Sequence, residues 1–392
     1  MKVLFITTAY PSDHLPGAGV FHQTQAESIR DLGVDIEVVA PVPYSPKVLS
    51  RVSQKYNNYK KFPKSYEWNG IKIHRPRFVA IPGQLKWAQP HKRFAKAIQR
   101  YIEDQGIKFD IIHAHFAMPS GGAATILSST YKTPYVLTLH GSDVNVYPQY
   151  SNSAMNAFKL AVRNAGTVTA VSGALAEKTE KLTDVKPEVL PIGVNMKRFS
   201  GTDMSEEEKI NLRKRLGLPE DKKLLLFVGR IMNEKGVREM ASAIEQLDDR
   251  FRLVLVGDGP LKSELEGKEK IILTGQIANE RVKDYLRAAD IFLLPSYREG
   301  MPTVIIEALA LKVPVLSSNV GGIPELFGEY KELLIEPKSS EQIVNGVLGY
   351  TDKGNYGHEV IENLFERVTS DFDVTQNSAD LIQIYRKLLK VK

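Results

Sequence analysis

Short apolar, β-branched runs alternate with helical patterns along the whole chain of 392 residues, and this alternation most constrains the fold. The runs cover 2–8, 35–41, 71–77, 110–116, 134–140, 167–172 and 188–193, then 223–229, 252–258, 271–276, 291–296, 314–319 and 332–337. A run that is apolar throughout, rather than at every second position, is buried on both faces. Such strands belong to parallel sheets covered by helices. Thirteen are too many for one ordinary open sheet. The expectation is an α/β protein of two doubly wound domains, residues 1–200 and 223–373, joined by a polar hinge at 201–222. Inside that hinge Ser205 and Glu208 have capping-box spacing. The last pattern, within 374–392, puts Ala379, Ile382, Tyr385, Leu388 and Leu389 on one face that needs a surface to cover it.

In open parallel sheets ligands bind beyond the carboxyl ends of the strands, so chemistry is sought in the strand-end loops. The most informative loop is Pro295-Ser296-Tyr297-Arg298-Glu299-Gly300-Met301-Pro302-Thr303. Pro302 suits the first position of a helix, where its missing N–H costs nothing. The helix start then offers the N–H groups of Thr303 and Val304 to an anion. Glu307, more than one turn in, can accept hydrogen bonds from ribose hydroxyls, and Glu299 is placed to face a sugar. A capped helix with two solvated glutamates is the plainer reading of the spacing alone. After the strand at 223–229, Arg230 and Lys235 supply two cations to one loop, enough to neutralise a diphosphate. Gly257 and Gly259 permit close backbone approach after the next strand, and Thr274-Gly275 is a weaker candidate for contact with a base or sugar.

The first domain carries Gly17-Ala18-Gly19 after its first strand, a shortened phosphate-binding turn leading into a helix. His113 and His115 end another strand. The sequence reading puts them on opposite faces, His115 toward the ligand side and His113 packed. Asp143, in His140-Gly141-Ser142-Asp143, is placed to accept a proton or hold a hydroxyl. Asp371-Phe372-Asp373 has metal-motif spacing but precedes the last helix, where a capping role fits better. No carboxylate cluster suggests a metal.

Composition excludes several classes. There is no cysteine, hence no disulfide framework, thiol nucleophile, thiolate zinc site or iron–sulfur centre. No signal-peptide pattern or uninterrupted spanning segment is found, the longest apolar stretch being broken by Glu307 and Lys312, and a cytoplasmic location is expected. The net charge of +6 is uneven: residues 45–108 hold 15 Lys or Arg against 3 Asp or Glu, together with both tryptophans.

Together the motifs resemble family 4 retaining glycosyltransferases of the GT-B fold. They are Gly17-Ala18-Gly19, His113-Ala114-His115-Phe116, His140-Gly141-Ser142-Asp143, Ile192-Gly193-Val194-Asn195, Gly229-Arg230 with Glu234-Lys235-Gly236, Gly257-Asp258-Gly259-Pro260, Glu299-Gly300-Met301-Pro302 with Glu307, and Gly321-Gly322-Ile323-Pro324-Glu325. Ala9-Tyr10-Pro11-Ser12 with Gly19-Val20-Phe21 resembles the branch containing teichuronic-acid-type cell-wall polysaccharide transferases. Many members have a Gly-Gly pair in the first loop; here Ala18 intervenes and still offers its N–H.

The resemblance implies two Rossmann-like domains facing across a cleft, with the last helix returning to the first. It implies a nucleoside diphosphate sugar as donor, a uridine one on family frequency, and transfer of a hexosyl group with retention. Arg230 and Lys235 would hold the diphosphate, Glu307 the ribose, and Glu299 with the Gly300 and Met301 backbone the sugar. His115 would lie near sugar and acceptor, with Asp143 close by, and neither metal nor separate cofactor is implied. A sugar-nucleotide epimerase or sugar phosphorylase on the same fold, and a bilobed sugar-binding protein, are the alternatives. The basic window, with Lys92, Lys96 and Arg100 in a helical row beside Arg93, and aromatics at 56–68 among lysines, suits an anionic membrane surface and a lipid-linked or polysaccharide acceptor better than nucleic acid.

Overall fold

The structure, a computed structural model, describes residues 1–13, 15–44, 62–79, 90–199, 204–352 and 357–390. It forms two compact units, Met1–Ile192 with Val374–Lys392, and Gly193–Asp373.

The first unit contains, in chain order, β1 (Lys2–Ile6), β2 (Asp35–Val39), β3 (Val42–Tyr44), β4 (Ser65–Trp68), β5 (Ile71–His74), β6 (Arg77–Val79), β7 (Ile111–His115), β8 (Tyr135–Leu139), β9 (Thr167–Ala170) and β10 (Glu188–Val189). Eight form a sheet of order β10-β9-β8-β7-β1-β2-β5-β4, and β3 pairs with β6. All neighbours in the large sheet are parallel except β4 and β5. The central strands β1, β7 and β8 are buried almost throughout, as their unbroken apolar composition requires. The sequence reading lacks β3 and β4 and merges β5 with β6. These strands are three or four residues long, and β4 is a largely exposed edge, so none carries the apolar run of a central strand.

The second unit has one parallel sheet, order β13-β12-β11-β14-β15, from β11 (Lys223–Val228), β12 (Phe251–Val256), β13 (Ile271–Gly275), β14 (Ile291–Leu294) and β15 (Val315–Ser317). The expected strand at 332–337 is absent: its first residues form a short 3₁₀ turn, and Ile335 makes a single bridge to Ser318.

Two boundaries differ from expectation. The second unit begins at Gly193, because Val194, Met196 and Phe199 pack in its core. The described part of the expected hinge is not a free connector. Its helix Glu206–Leu216, with the Ser205–Glu208 capping box formed, is fastened to the second unit. There the Arg213 guanidinium donates to the Ala288 carbonyl at 2.9 Å and to the Asp290 carboxylate at 2.7 Å, and Lys209 pairs with Asp290 at 2.8 Å.

Phe372 fills the second unit's core, and its carbonyl accepts from the Val194 N–H at 2.8 Å. From Val374 the chain belongs to the first unit. Helix Val374–Lys390 lays Leu381, Ile382 and Tyr385 against Val3, Phe5, Ala26 and Ile29. The Tyr385 hydroxyl meets His113 Nδ1 at 2.6 Å, and His113 Nε2 meets the Thr138 hydroxyl at 2.7 Å. No described helix is long and apolar enough to cross a membrane.

A buried polar atom that loses its partner pays the cost of its lost hydration. Tyr385→Phe is therefore expected to lower unfolding stability by about 1–3 kcal/mol, since His113 Nδ1 is left unpaired. Urea denaturation followed by tyrosine fluorescence measures this, and an unchanged midpoint would show that the bond contributes nothing.

Candidate active site

In the second unit the order of strands reverses at β11, whose neighbours are β12 and β14. A topological switch point leaves room beyond the strand ends, and the loops after β11 and β14 flank it. They carry Arg230, Lys235 and Glu299.

The two loops are joined by backbone and side chain. The Tyr297 N–H donates to the Glu234 carbonyl at 2.9 Å, and the Tyr297 hydroxyl donates to Glu239 at 2.6 Å. Lys235 Nζ lies 2.6 Å from Glu299 Oε1, with side chains 29% and 10% exposed respectively. Gly321 supports Glu299 from behind: at φ 58° it approaches so closely that a Cβ would stand 2.1 Å from the Glu299 carbonyl oxygen. The Gly322 N–H donates to the Gly300 carbonyl at 2.9 Å. Arg230 is exposed and has no hydrogen-bond or ion-pair partner among the described residues.

The helix after this loop is Thr303–Ala310. Pro302, expected as the first helical residue, is instead its N-cap in extended conformation, and no side chain caps the start. Pro302 has no N–H, so the first free donors are those of Thr303 and Val304. Met301, partly buried against the core, anchors the loop. Glu307, half-buried one turn on, has its pKa pushed up to about 7 by burial, against the opposing pull of Arg198. Arg198 was not singled out in the sequence. It stands in the short turn Met196–Phe199, where its guanidinium donates to the Asn279 carbonyl and lies over the Phe199 ring.

At Gly257 a Cβ would stand 1.9 Å from the Gly229 carbonyl oxygen, so glycine permits a close approach to the neighbouring loop. Gly259 likewise lies against the Ile231 carbonyl.

The corresponding reversal in the first unit lies at β1, between β2 and β7. Gly19, at φ 73°, is the N-cap of helix Val20–Asp31, and a Cβ on it would stand 2.3 Å from the Ala9 carbonyl oxygen. Gly17 is exposed in the preceding turn, and the Ala18 N–H, expected to be free, donates to the Leu15 carbonyl at 3.2 Å.

His113 and His115 do not lie on opposite faces. Their ring centroids are 4.1 Å apart. Side chains alternate with period two along a strand, so residues two apart share a face. His115 is fully buried beside His22 of the first helix and His140 at the end of β8, with centroids 4.6 Å and 5.2 Å away. Burial pushes the pKa values of His22 and His113 down to about 3 and those of His115 and His140 well below the usual range, so all four imidazoles are neutral. His22 was not anticipated; in sequence it is one polar residue in an amphipathic helix. Phe116, closing β7 at φ 69°, is a non-glycine residue in the left-handed region, and its ring lies 4.5 Å from His140.

Asp143 has a structural role. It is only 3% exposed, and its carboxylate accepts N–H bonds from Ala117 at 2.9 Å, Gly141 at 2.8 Å and His140 at 3.1 Å. It fastens the loop after β7 to the loop after β8.

The raised pKa of Glu307 has a consequence for stability. The folded state holds the proton more tightly than the unfolded chain, whose glutamate ionises near 4.5. Stability is thus lost as pH rises from about 4.5 to about 7, and the penalty is complete above 7. Glu307→Gln removes it, so the ligand-free variant should melt above the wild type at pH 8 and level with it near pH 4. Parallel melts at the two pH values measure this; a variant that melts lower at pH 8 contradicts it.

Two family profiles cover most of the chain: Glycosyltransferase Family 4 matches residues 16–198, and Glycosyl transferases group 1 matches 208–367. TuaC of Bacillus subtilis (strain 168), named for teichuronic acid biosynthesis as a glycosyltransferase, is 48% identical over 390 residues, spanning 100% of this chain and 99% of that protein. The N-acetyl-alpha-D-glucosaminyl L-malate synthase of Bacillus anthracis is 24% identical over 96% of each. Among solved structures, sucrose-phosphate synthase from Thermosynechococcus elongatus superposes with a TM-score of 0.80 at 21% identity, covering 100% of both chains. Anabaena Alr3699/HepE, in complex with UDP-glucose, superposes with a TM-score of 0.74 at 19% identity, over 99% of this chain and 100% of that one. With predominantly parallel sheets in both units and a full-length relative at this identity, the chain belongs to the family 4 glycosyltransferases of the GT-B fold.

Proposed function

We propose that the protein transfers a hexosyl group from a nucleoside diphosphate sugar to a lipid-linked or polysaccharide acceptor in cell-surface glycan synthesis, with retention of configuration. One observation carries the donor half of this reading: at the switch point of the second unit, the Lys235–Glu299 pair and the unpaired Arg230 stand on loops next to an uncapped helix start. That set suits a diphosphate, which two cations and free N–H groups stabilise most when charge develops on it as it leaves. Glu307 takes the ribose. Glu299 and the Gly300 and Met301 backbone take the sugar, so Lys235 exchanges part of its ion pair for phosphate when donor binds. A uridine base is the first choice, supported by the UDP and UDP-glucose complexes of the structurally similar HepE.

The acceptor oxygen bonds to the anomeric carbon on the face from which the phosphate departs. The carbon–oxygen bond to phosphate breaks, and a phosphate oxygen takes the acceptor's proton. The cations make a metal at the diphosphate unnecessary. The first unit takes the acceptor, with His115 among the residues around it.

A cell-surface acceptor fits a place on the inner face of the cell membrane. The helix Pro90–Gln105 buries Phe94, Ile98 and Ile102 and exposes Lys92, Lys96 and Arg100 in a row. The aromatics of the basic window support this reading less than the cations do. Phe62 and Tyr66 pack around the buried Arg75, whose guanidinium donates to the Tyr10 carbonyl at 2.7 Å, and Trp68, 45% exposed, donates to Glu27. Tyr56, Tyr59, Trp87, Lys55, Lys60 and Lys61 lie outside the described residues.

Arg230→Ala and Lys235→Ala are each expected to lower kcat by about 100-fold or more, and UDP should raise the melting temperature of the wild type. Wild-type turnover in both variants, or no thermal response to UDP, ADP or GDP, would reject the donor reading. Anionic vesicles should float the protein at low salt and release it when Lys92, Lys96 and Arg100 are all changed to Glu. Equal flotation of the triple variant removes the membrane reading and leaves the chemistry intact.

A further inference from the structure

The loop between β14 and the helix Thr303–Ala310 is gripped at both ends by backbone. At its start Gly236 makes room for the Pro295 carbonyl oxygen, which would stand 2.2 Å from a Cβ there. At its end Gly321 and Gly322 meet the Glu299 and Gly300 carbonyls. Between these ends the grip is a side chain. The Tyr297 hydroxyl crosses to the helix Val237–Gln246 and donates to Glu239 Oε1 at 2.6 Å, the length of a bond strengthened by charge on its acceptor. Glu239 Oε2 is buried with no partner among the described residues, so the carboxylate relies on that hydroxyl. Lys338 Nζ lies 5.0 Å from the centroid of the Tyr297 ring, in cation–π range.

We propose that Tyr297, locked by Glu239, is a positioning residue for the donor sugar: it holds the loop so that the Glu299 carboxylate stays at the sugar while Lys235 turns to the diphosphate. The inference rests on the donor reading above. Lys235, 2.6 Å from Glu299, steadies that carboxylate only until phosphate competes for the ammonium. Glu299 must then be held by a contact that the donor does not disturb. The helix bearing Glu239 supplies one, because its Val237, Met240, Ala241 and Ile244 are buried in the core of the second unit. A group fixed in this way needs no reorganisation when charge develops beside it.

The two polar groups of Tyr297 have separable effects. Its N–H, bonded to the Glu234 carbonyl, joins the loop to the turn that carries Lys235, and this bond survives in Tyr297→Phe. Removing the hydroxyl therefore loosens Glu299 and leaves the cations for the diphosphate in place. The loss falls on the sugar and not on the nucleotide.

The test is calorimetric titration of the full-length chain with whichever of UDP, ADP and GDP the wild type binds, and with the glucose, galactose and mannose derivatives of that nucleotide. Tyr297→Phe should leave Kd for the free diphosphate within about twofold and weaken the best-bound sugar derivative about tenfold, the worth of one hydrogen bond to a charged group. Glu239→Ala should reproduce that split, and Glu239→Gln, which keeps an acceptor, should restore most of the affinity. On a Glu299→Ala background Tyr297→Phe should change neither constant, since the group it positions is gone. Circular dichroism checks that each variant is folded. An unchanged sugar-derivative Kd in folded Tyr297→Phe, an equal loss for diphosphate and sugar derivative, or the same tenfold loss on Glu299→Ala overturns the proposal. A wild type that binds a diphosphate but none of its sugar derivatives removes the sugar role of Glu299 and this proposal with it. A wild type that binds no diphosphate rejects the donor reading itself, and the proposal falls with that reading.

Discussion

A parallel sheet has no hairpins, so each strand must be re-entered from its other end through a covering segment, and every strand finishes on the same side. The constraint holds for the second unit's sheet and, apart from the antiparallel β4–β5 edge, for the large sheet of the first, and it decides where the strand-end loops gather. It places the loops after β11 and β14 side by side, and likewise those after β1 and β7, although each pair is separated in sequence by dozens of residues. Burial of both sheet faces makes the strands rigid enough for those loops to hold charged groups at bonding distance. The Lys235–Glu299 pair, 64 positions apart in the chain, follows from that arrangement.

The loops are held chiefly by backbone. Gly257 against the Gly229 carbonyl and Gly321 against the Glu299 carbonyl leave no room for a Cβ, and Asp143 performs the same service with three N–H bonds. The groups proposed to meet the donor are free of structural work: Arg230 has no partner among the described residues, and the helix at Thr303 has no side-chain cap. The first unit reverses the balance. Its strand-end side chains are buried imidazoles and aromatics packed on one another.

Most of the central strands and the loops of the second unit's candidate site were legible because each signal is local. An unbroken apolar run, a proline before a helix, or two cations on one loop needs only neighbours in sequence. The misreadings were of two kinds. His113 and His115 were assigned to opposite faces although a period of two puts them on one, an error about a local rule. The structural partners of Asp143, Gly257 and the hinge helix were not legible because they are distant: Asp143 meets Ala117, Gly257 meets Gly229, and Arg213 meets Asp290, whereas the Ala18 N–H was misjudged although its partner, Leu15, is only three residues away. A loop glycine or aspartate looks the same in sequence whether its partner is a ligand or another loop.

The sequence by itself determined the two α/β units, the all-parallel character of the central strands and the placing of Arg230, Lys235, Glu299 and Glu307 at strand ends and a helix start, because hydrophobic periodicity and helix-start chemistry are written within a few residues. Tertiary structure alone decided that His22 joins His115 and His140, that Arg198 reaches Glu307's surroundings, and that Tyr385 of the last helix completes His113. Those meetings depend on burial and on strand order, and the desolvation that keeps the imidazoles neutral and lifts Glu307 to about 7 exists only once the chain has closed around them.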